Sequence, residues 1–516
     1  MSEVLPKGWE ETTIDELCTV NPKHSKETNL ETQVSFIPMP AVCAITGTIK
    51  QHVDRPLSEV WKGYTHFAEN DVIFAKITPC MENGKAAIAN GLTNGLACGS
   101  TEFYVLRSNG AVLPKYLHLY VRQQGFRDEA KRNMSGAVGQ QRVPKTYLQE
   151  QELPVPPLNE QHRIVEKIDA LMARSGAAKE ALDAIPKLLD QYRQSVLAAA
   201  FRGDLTKDWR KKNPNVEPAE TLLERIRKER RHRWEETELA KLRAKGKEPK
   251  DDKWKAKYKE PTDADWDVSL PLPNNWAWSS VELLGAMDEQ AVLTGPFGAD
   301  LGRKDFISEG VPVLTIGCLQ ERGVILDKAE HVSEQKSLEL SRYRVQKNDL
   351  LFSRMASVGR VGYVTDQLSG LLINYHIIRL RLNDQALHPE FYMYYVRGAL
   401  TVKKYLDKIN HGMTRDGVNS KQILLMPVSL PPIEEQLEII RRIKFYEQMI
   451  HTVEDHLAVS RNSLNKLNQS ILAKAFRGEL VSQDPTDEPA AALLNRIRKE
   501  RIAQAPAKKR GRKKTE

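Results

Sequence analysis

No stretch of this chain is apolar for the roughly 18 residues that a membrane span needs. The opening MSEVLPKGWEE has no apolar signal region, so a cytoplasmic protein with no membrane partner is expected. Cysteine is scarce: five residues, at 18, 43, 80, 98 and 318, odd in number and without a CxxC pair. They read as reduced, mostly buried thiols and not as a disulfide or zinc framework. Catalytic motifs are missing as well. There is no (Asp/Asn/Ser)-Pro-Pro-(Tyr/Phe/Trp) tetrad for gripping a flipped base; NPKH (21–24) and LPPI (430–433) come nearest. There is no FxGxG loop for a methyl donor, no GxxxxGK(S/T) phosphate loop and no HExxH. The glycine-rich TGPFGADLG (294–302) lacks flanking βαβ periodicity and reads as a loop. EPKDDKWKAK (248–257) faintly resembles a nuclease acidic-Lys cluster but reads as polar linker with no core around it. No catalytic residue and no metal site are expected.

Acid and base nearly cancel over most of the chain. The formal net charge is +9, but residues 224–260 hold 15 Lys and Arg against 9 Asp and Glu, and 505–516 hold 6 against 1. The remainder therefore sums to about −2. A basic total points toward nucleic acid, yet here a folded body that binds DNA must use local patches. The basic segments read equally well as a solvated helix face and a disordered end, and KRGRKK loosely resembles a minor-groove AT-hook. With 28% charged and 41% hydrophobic residues the chain can still bury cores.

What the sequence has is a repeat. QSVLAAAFRGDL (194–205) returns as QSILAKAFRGEL (469–480), 275 positions later, and PPLNEQ (156–161) returns as PPIEEQ (431–436) at the same offset. EPAETLLERIRKER (217–230) matches EPAAALLNRIRKER (488–501), LPKGW (5–9) matches LPNNW (272–276), and NDVIFAKI (70–77) matches NDLLFSRM (348–355). These last offsets drift, between 267 and 278. So long a period means two copies of whole domains, with one segment held to a fixed length and the other free to vary.

The fixed segments carry a heptad seam. Apolar or small residues recur with 4-3 spacing at Ile164, Ile168, Leu171, Ser175, Ala178, Leu182, Ile185, Leu189, Tyr192, Val196 and Ala199. The second copy has Ile439, Ile443, Tyr446, Ile450, Val453, Leu457, Ser460, Leu464, Leu467, Ile471 and Lys474. A 3.5-residue period over five heptads marks a coiled-coil seam. About 40 residues make a rod of roughly 60 Å. Gly203 and Gly478 should cap the two helices, and Pro186 should bend the first without ending it. Pairing the helices with each other buries both stripes and explains their equal length.

The variable segments, 5–153 and 272–425, each open on a tryptophan turn and a short helix. Each continues through short β-like runs (VSFIPMP, DVIFAKI and STEFYVLR; VPVLTIG, NDLLFSRM and LLINYHIIRLRL). Each closes with one amphipathic helix and a polar loop. A mixed α/β domain with one small curved sheet is expected. Polar residues on its loops are the candidate DNA contacts. The first copy offers Lys76, Thr78, Asn83 and Lys85, then Gln140, Gln141 and Arg142. The second offers Ser353, Arg354, Ser357 and Arg360, then Thr414, Arg415 and Asn419. Arg pairs with guanine edges, Asn and Gln with adenine, and Lys or Ser anchors phosphate.

These motifs together resemble the DNA-specificity (S) subunit of type I restriction-modification systems, over about 1–230 and 270–480. GYTHFAENDVIFAKITPCMENGK and GSTEFYVLR resemble one group of its target-recognition domains, TGPFGADL, GVPVLTIG and NDLLFSRMASVGRVG another. PPLNEQHRIVEKID…AAAFRGDL and its copy resemble the conserved spacer regions. The resemblance implies α/β (α+β) target-recognition domains in two copies, separated by two long helices that form an antiparallel coiled coil, in a pseudo-twofold repeat. It implies a non-catalytic subunit whose domains each read half of a bipartite, asymmetric double-stranded DNA target, with the helices setting the gap. The partners implied are two methyltransferase (M) subunits and restriction/translocase (R) subunits. S-adenosylmethionine, ATP and Mg²⁺ would belong to those partners, and none to this chain. The boundaries expected are a first reader at 1–153, a spacer helix at 154–204, and a basic helix and linker at 205–270. A second reader follows at 271–426, a second spacer helix at 427–480, and a short helix with a basic disordered tail at 481–516. A self-contained DNA-modifying enzyme and a coiled-coil scaffold are the alternatives.

Overall fold

The structure is a computed structural model. It describes residues 5–137, 139–249, 251–262, 271–287, 290–320, 323–354, 360–410 and 417–504. The chain divides into two compact units, 1–184 with 456–516, and 185–455. Each unit therefore joins one reader to parts of both long helices. Among the described residues no helix is long and apolar enough to cross a membrane.

In the first unit the reader holds two four-stranded sheets, not the one small sheet expected. One runs Cys18–Val20, Phe103–Ser108, Val72–Ala75, Ala86–Ile88, all antiparallel. The other runs Val53–Pro56, Gln33–Ile37, Leu96–Gly99, Thr65–Ala68, with a parallel central pair. Short runs such as VSFIPMP and DVIFAKI show strand type but not sheet membership, because pairing is set by distant segments. Glu10–Thr13 zips antiparallel onto Glu152–Val155, closing the start of the reader against its end. The second unit repeats this plan. Val292–Thr294, Ile377–Leu380, Leu350–Ser353 and Val361–Tyr363 form one sheet. Phe306–Ile307, Glu330–Val332, Val311–Leu314 and Leu372–Ile373 form the other, and Ala277–Ser280 zips onto Pro427–Leu430.

The amphipathic helix expected in each reader is broken in two. Pro114–Arg122 and Gln124–Arg132 meet at an extended Gln123, and Pro389–Gly398 and Leu400–Asn410 meet at an extended Ala399. Apolar residues continue through both breaks, so periodicity alone hides them. The break lets Phe126 pack its ring against Phe74 and Tyr120.

The long helices span Leu158–Phe201 and Ile433–Phe476, 44 residues each, and the first runs through Pro186 without ending. They pair antiparallel. In the first unit Ile164 and Ile168 share a core with Ile471, Leu472, Ala475 and Phe476, and Arg461 pairs with Asp183 at 2.7 Å. In the second unit Leu197, Ala200 and Phe201 share a core with Ile439, Ile440 and Ile443; the Tyr192 ring meets Tyr446 edge-on. Ile164, Ile168, Ile439, Ile443, Ile450 and Leu457 are buried, while Leu171, Leu182, Leu189 and Leu464 are half-buried. The seam is driest where a reader covers it, since a partner helix alone shields one side only.

Most of the repeated sequence phrases correspond to repeated contacts. Trp9 and Trp276 donate their indole N–H to the buried Glu160 and Glu435 of PPLNEQ and PPIEEQ. The adjacent Gln161 and Gln436 each donate to two carbonyls and accept one backbone N–H. That satisfies a buried amide almost fully. In each ND phrase, Asn70 and Asn348 take positive φ. Asp71 and Asp349 bind Arg107 and Arg381 bidentately, at 2.7–2.8 Å. Gly203 (φ +79) and Gly478 (φ +75) follow the long helices; a Cβ there would overlap Pro273 or Pro6 of the LPNNW and LPKGW turns. The RIRKER helices dock on the same turns: Ala490 N–H donates to Gly8 O, and Ala219 N–H to Asn275 O. The second of these helices, Ala219–Ala244, runs on into the basic segment. There EPKDDKWKAK is more than a bare linker: its Trp254 stacks on Trp234, and the adjoining Tyr258 ring tilts against the same indole. The tail 505–516 lies outside the described residues.

Candidate nucleic-acid interface

In the first unit the two candidate loops form one rim. Lys76 leaves the strand Val72–Ala75 with its N–H on Glu102 O (2.9 Å), and its own carbonyl accepts from Val143 N–H (2.9 Å). Thr78 N–H donates to Gln141 O at 3.0 Å. The Lys76 ammonium sits 5.3 Å from the Tyr104 ring centroid, a cation–π distance. Burial lowers its pKa, Glu102 opposing and Arg142 assisting. Asn83 and Gln140 are exposed and Gln141 half-buried.

Other candidates spend their polar atoms on the rim itself. Arg142 grips Glu102 with two 2.9 Å hydrogen bonds and donates to Gln140 O. Thr78 donates to Glu82, and Lys85 to Met39 O. Sequence reasoning missed three cations behind this turn. Arg122 donates to Gly84, Ala44 and Ile45 carbonyls, Arg127 donates to Glu82 O, and Lys131 pairs with Glu82 at 2.6 Å. Burial lowers the pKa of Arg122 and of Arg127, and Arg127 adds to the lowering at Arg122. Arg127 and Lys131, four apart on one helix, were visible as a pair; the partners of all three were not.

The second unit builds the same rim from other side chains. Arg354 follows Leu350–Ser353, donates its N–H to His376 O (2.9 Å) and accepts from Val418 N–H (3.0 Å), matching Lys76. Its guanidinium lies 5.3 Å from the Phe297 ring centroid. Phe297, 54% exposed, comes from the TGPFGADLG loop. Tyr375 is also exposed and packs on His376, centroids 3.7 Å apart. Burial and the Arg354 charge both lower the His376 pKa. Composition gave no signal for these aromatics as rim residues. Ser353 is buried and Arg360 exposed. Asn419 caps the helix Ser420–Leu424 through a reciprocal pair with Gln422. Ser357, Thr414 and Arg415 lie outside the described residues. Arg360 also lines a groove of about 2020 Å³ whose walls carry Arg397 and Lys403 but also Asp190, Glu447 and Glu454. Its mixed charge does not suit a phosphate track.

The profile of the type I restriction modification DNA specificity domain family matches residues 6–186 and 303–458, one stretch in each half and well over half of the chain. This chain belongs to that family. Among family members, the EcoEI specificity subunit of Escherichia coli is 28% identical over 502 residues, covering 88% of this chain and 80% of its own. The E. coli EcoAI specificity subunit is 33% identical over 279 residues, 46% of each chain. Two solved structures share the fold at 19% identity. One, from a study of complex assembly and conformational transition of the type I R-M system, has a TM-score of 0.63 over 92% of this chain and 99% of its own. The other, the HsdS subunit from Thermoanaerobacter tengcongensis, has 0.58 over 92% and 98%. The specificity-domain family thus accounts for both halves of the repeat and for the readers joined by long helices.

Proposed function

We propose that this chain is the DNA sequence-recognition subunit of a type I restriction-modification enzyme and performs no catalytic step itself. It binds double-stranded DNA and works in assembly with methyltransferase and restriction subunits, which carry the S-adenosylmethionine, ATP and Mg²⁺ chemistry. One observation carries the reading: the same backbone scaffold occurs in both readers, with Lys76 and Tyr104 on one rim and Arg354 and Phe297 on the other. Duplicated scaffolds with different side chains suit two unlike half-sites, hence an asymmetric target.

Within the rims, Lys76, Asn83, Gln140 and Gln141 face the first half-site, and Arg354 and Arg360 the second; Ser357, Thr414 and Arg415 are assigned to the second half-site from the sequence alone. Thr78, Lys85, Arg142, Ser353 and Asn419 hold the loops in shape. The paired helices act as a ruler between half-sites, as protein geometry sets half-site spacing in dimeric readers. Two methyltransferase subunits would dock, one per repeat; exposed Phe445 and Met449, at i and i+4 on the second helix, offer one apolar patch for this. The division into readers, spacers, basic arm and tail at 153, 204, 270, 426 and 480 follows the same logic.

The test is methylation mapping of DNA from cells that express the chain with its methyltransferase subunit. A split motif with two different halves is expected. A continuous motif would count against two readers. Methylation by the chain alone would favour a self-contained enzyme, and no DNA binding in a salt titration would favour a scaffold.

A further inference from the structure

Two histidines and a cysteine meet inside the first reader, away from its rim. His66 in Thr65–Ala68 and Cys98 in Leu96–Gly99 are direct cross-strand partners, so their side chains share a face. His24 joins them from the loop between Cys18–Val20 and Gln33–Ile37. A ring nitrogen of each histidine and the Cys98 Sγ all lie within 4.8 Å of one another. The three residues are 8%, 3% and 0% exposed in chain order.

The surroundings fix the tautomers. His24 Nε2 lies 2.9 Å from Ala97 O, and His66 Nε2 lies 2.8 Å from Trp61 O. A carbonyl only accepts, so each Nε2 carries the proton. With Nε2 anchored on a carbonyl, each Nδ1 is left to present a lone pair. Only a long 3.4 Å N–H from His24 points at His66 Nδ1. Among the described residues no hydrogen bond reaches His24 Nδ1. An imidazole with one nitrogen free and the other anchored on a carbonyl is the arrangement of metal-bound histidine.

We propose that His24, His66 and Cys98 bind one Zn²⁺, through both Nδ1 atoms and the Cys98 thiolate, and so clip the 21–32 loop to the sheet. Two imidazoles and a thiolate suit a borderline-soft ion, and the fourth tetrahedral position takes a water on the His24 side. Ordinary Zn–N and Zn–S lengths set donor atoms roughly 3.3–3.6 Å apart, so the donors must close by about 1 Å; His24, on a loop, supplies that movement. Binding displaces the thiol proton to solvent: Cys–SH and Zn²⁺ give Zn–S–Cys and H⁺. Because the thiol proton must leave on binding, affinity rises with pH. The second reader has Arg344 and Leu372 as the bridging pair on its matching strand, so it cannot build this site.

The test uses the full chain, reduced and stripped of metal with a chelator, with Cys43 and Cys80 changed to serine to remove the more accessible thiols. Titration with Co²⁺ should give one equivalent bound, a near-ultraviolet thiolate-to-cobalt band, and displacement by Zn²⁺. Cys98→Ser and His24→Gln should each weaken binding at least tenfold. Should Cys98→Ser fail to fold, His24→Gln, on the loop, decides alone. Absence of the thiolate band, sub-stoichiometric binding, or unchanged affinity in the folded variant would overturn the proposal.

Discussion

In the first reader the residue that leaves the central strand is Lys76, beside Tyr104; in the second it is Arg354, beside Phe297. The two backbone hydrogen bonds of this residue are the same in both readers: its N–H donates to the neighbouring strand region at Glu102 or His376, and its carbonyl accepts from Val143 or Val418. The buried carboxylate that braces each reader is the same as well, Asp71 or Asp349. Phrases that repeat in the sequence are therefore those whose side chains hold the scaffold. Lys76 and Arg354, where the copies diverge, stand on the rim. The comparison separates the part of a reader that must be kept from the part that is free to change target.

Six substitutions sharpen that division. The largest effect is expected at Asp349→Ala. Its carboxylate is fully buried and Arg381 nearly so, and removing one partner of a buried pair costs about 3–5 kcal/mol. Asp71→Ala should cost less, because Arg107 is 39% exposed and water can take it back. Denaturant unfolding of both variants checks the order; equal losses would remove the distinction.

A second difference is buried in the helix beside each sheet, where His118 occupies the position of Met393. Burial, with Arg122 assisting, holds His118 down at about 4, below its unfolded value of about 6.5. Its contribution to stability is whole above pH 6.5 and is lost as pH falls from 6.5 to 4. His118→Met should therefore remove about 3 kcal/mol of the acid-dependent loss across that window, read from unfolding at pH 7 and pH 4. An unchanged pH slope would contradict the assignment.

On the rims, Arg354→Ala should weaken binding through the second half-site only, by about 1–3 kcal/mol if its contact is bidentate. Lys76→Ala should act through the first half-site only. Equal effects on both halves, in DNA variants altered one half at a time, would break the pairing of rim with half-site. The smallest effect is expected at Asn419→Ala: about 1 kcal/mol of stability from the lost cap, with base preference unchanged. A changed preference would return Asn419 to the reading set.

The repeat, the strand runs and the two long helices were legible because each leaves a local pattern. The PPLNEQ and ND phrases were visible as repeats, but their reason was not, since Gln161 and Asp71 act on carbonyls and an arginine tens of residues away. The break at Gln123 was hidden because apolar periodicity runs through it. The rim was half legible. Loop residues such as Lys76 and Arg354 stand out by type and position, whereas the commitment of Arg142 to Glu102 depends on a contact 40 residues distant. Phe297 gave no signal at all, and His24, His66 and Cys98 lie too far apart in sequence for any ligand spacing to reveal.

The ruler is the central claim, and its most direct test is a paired heptad deletion. Because the helices are antiparallel and Arg461 meets Asp183, the segment opposite 175–181 is 462–468, and not its repeat counterpart 450–456. Removing both shortens the pair by roughly 10 Å, about three base pairs of duplex. Methylation mapping should then return the same two half-sites with a shorter gap. The original gap, still preferred by a folded and active deletion variant, would contradict the account.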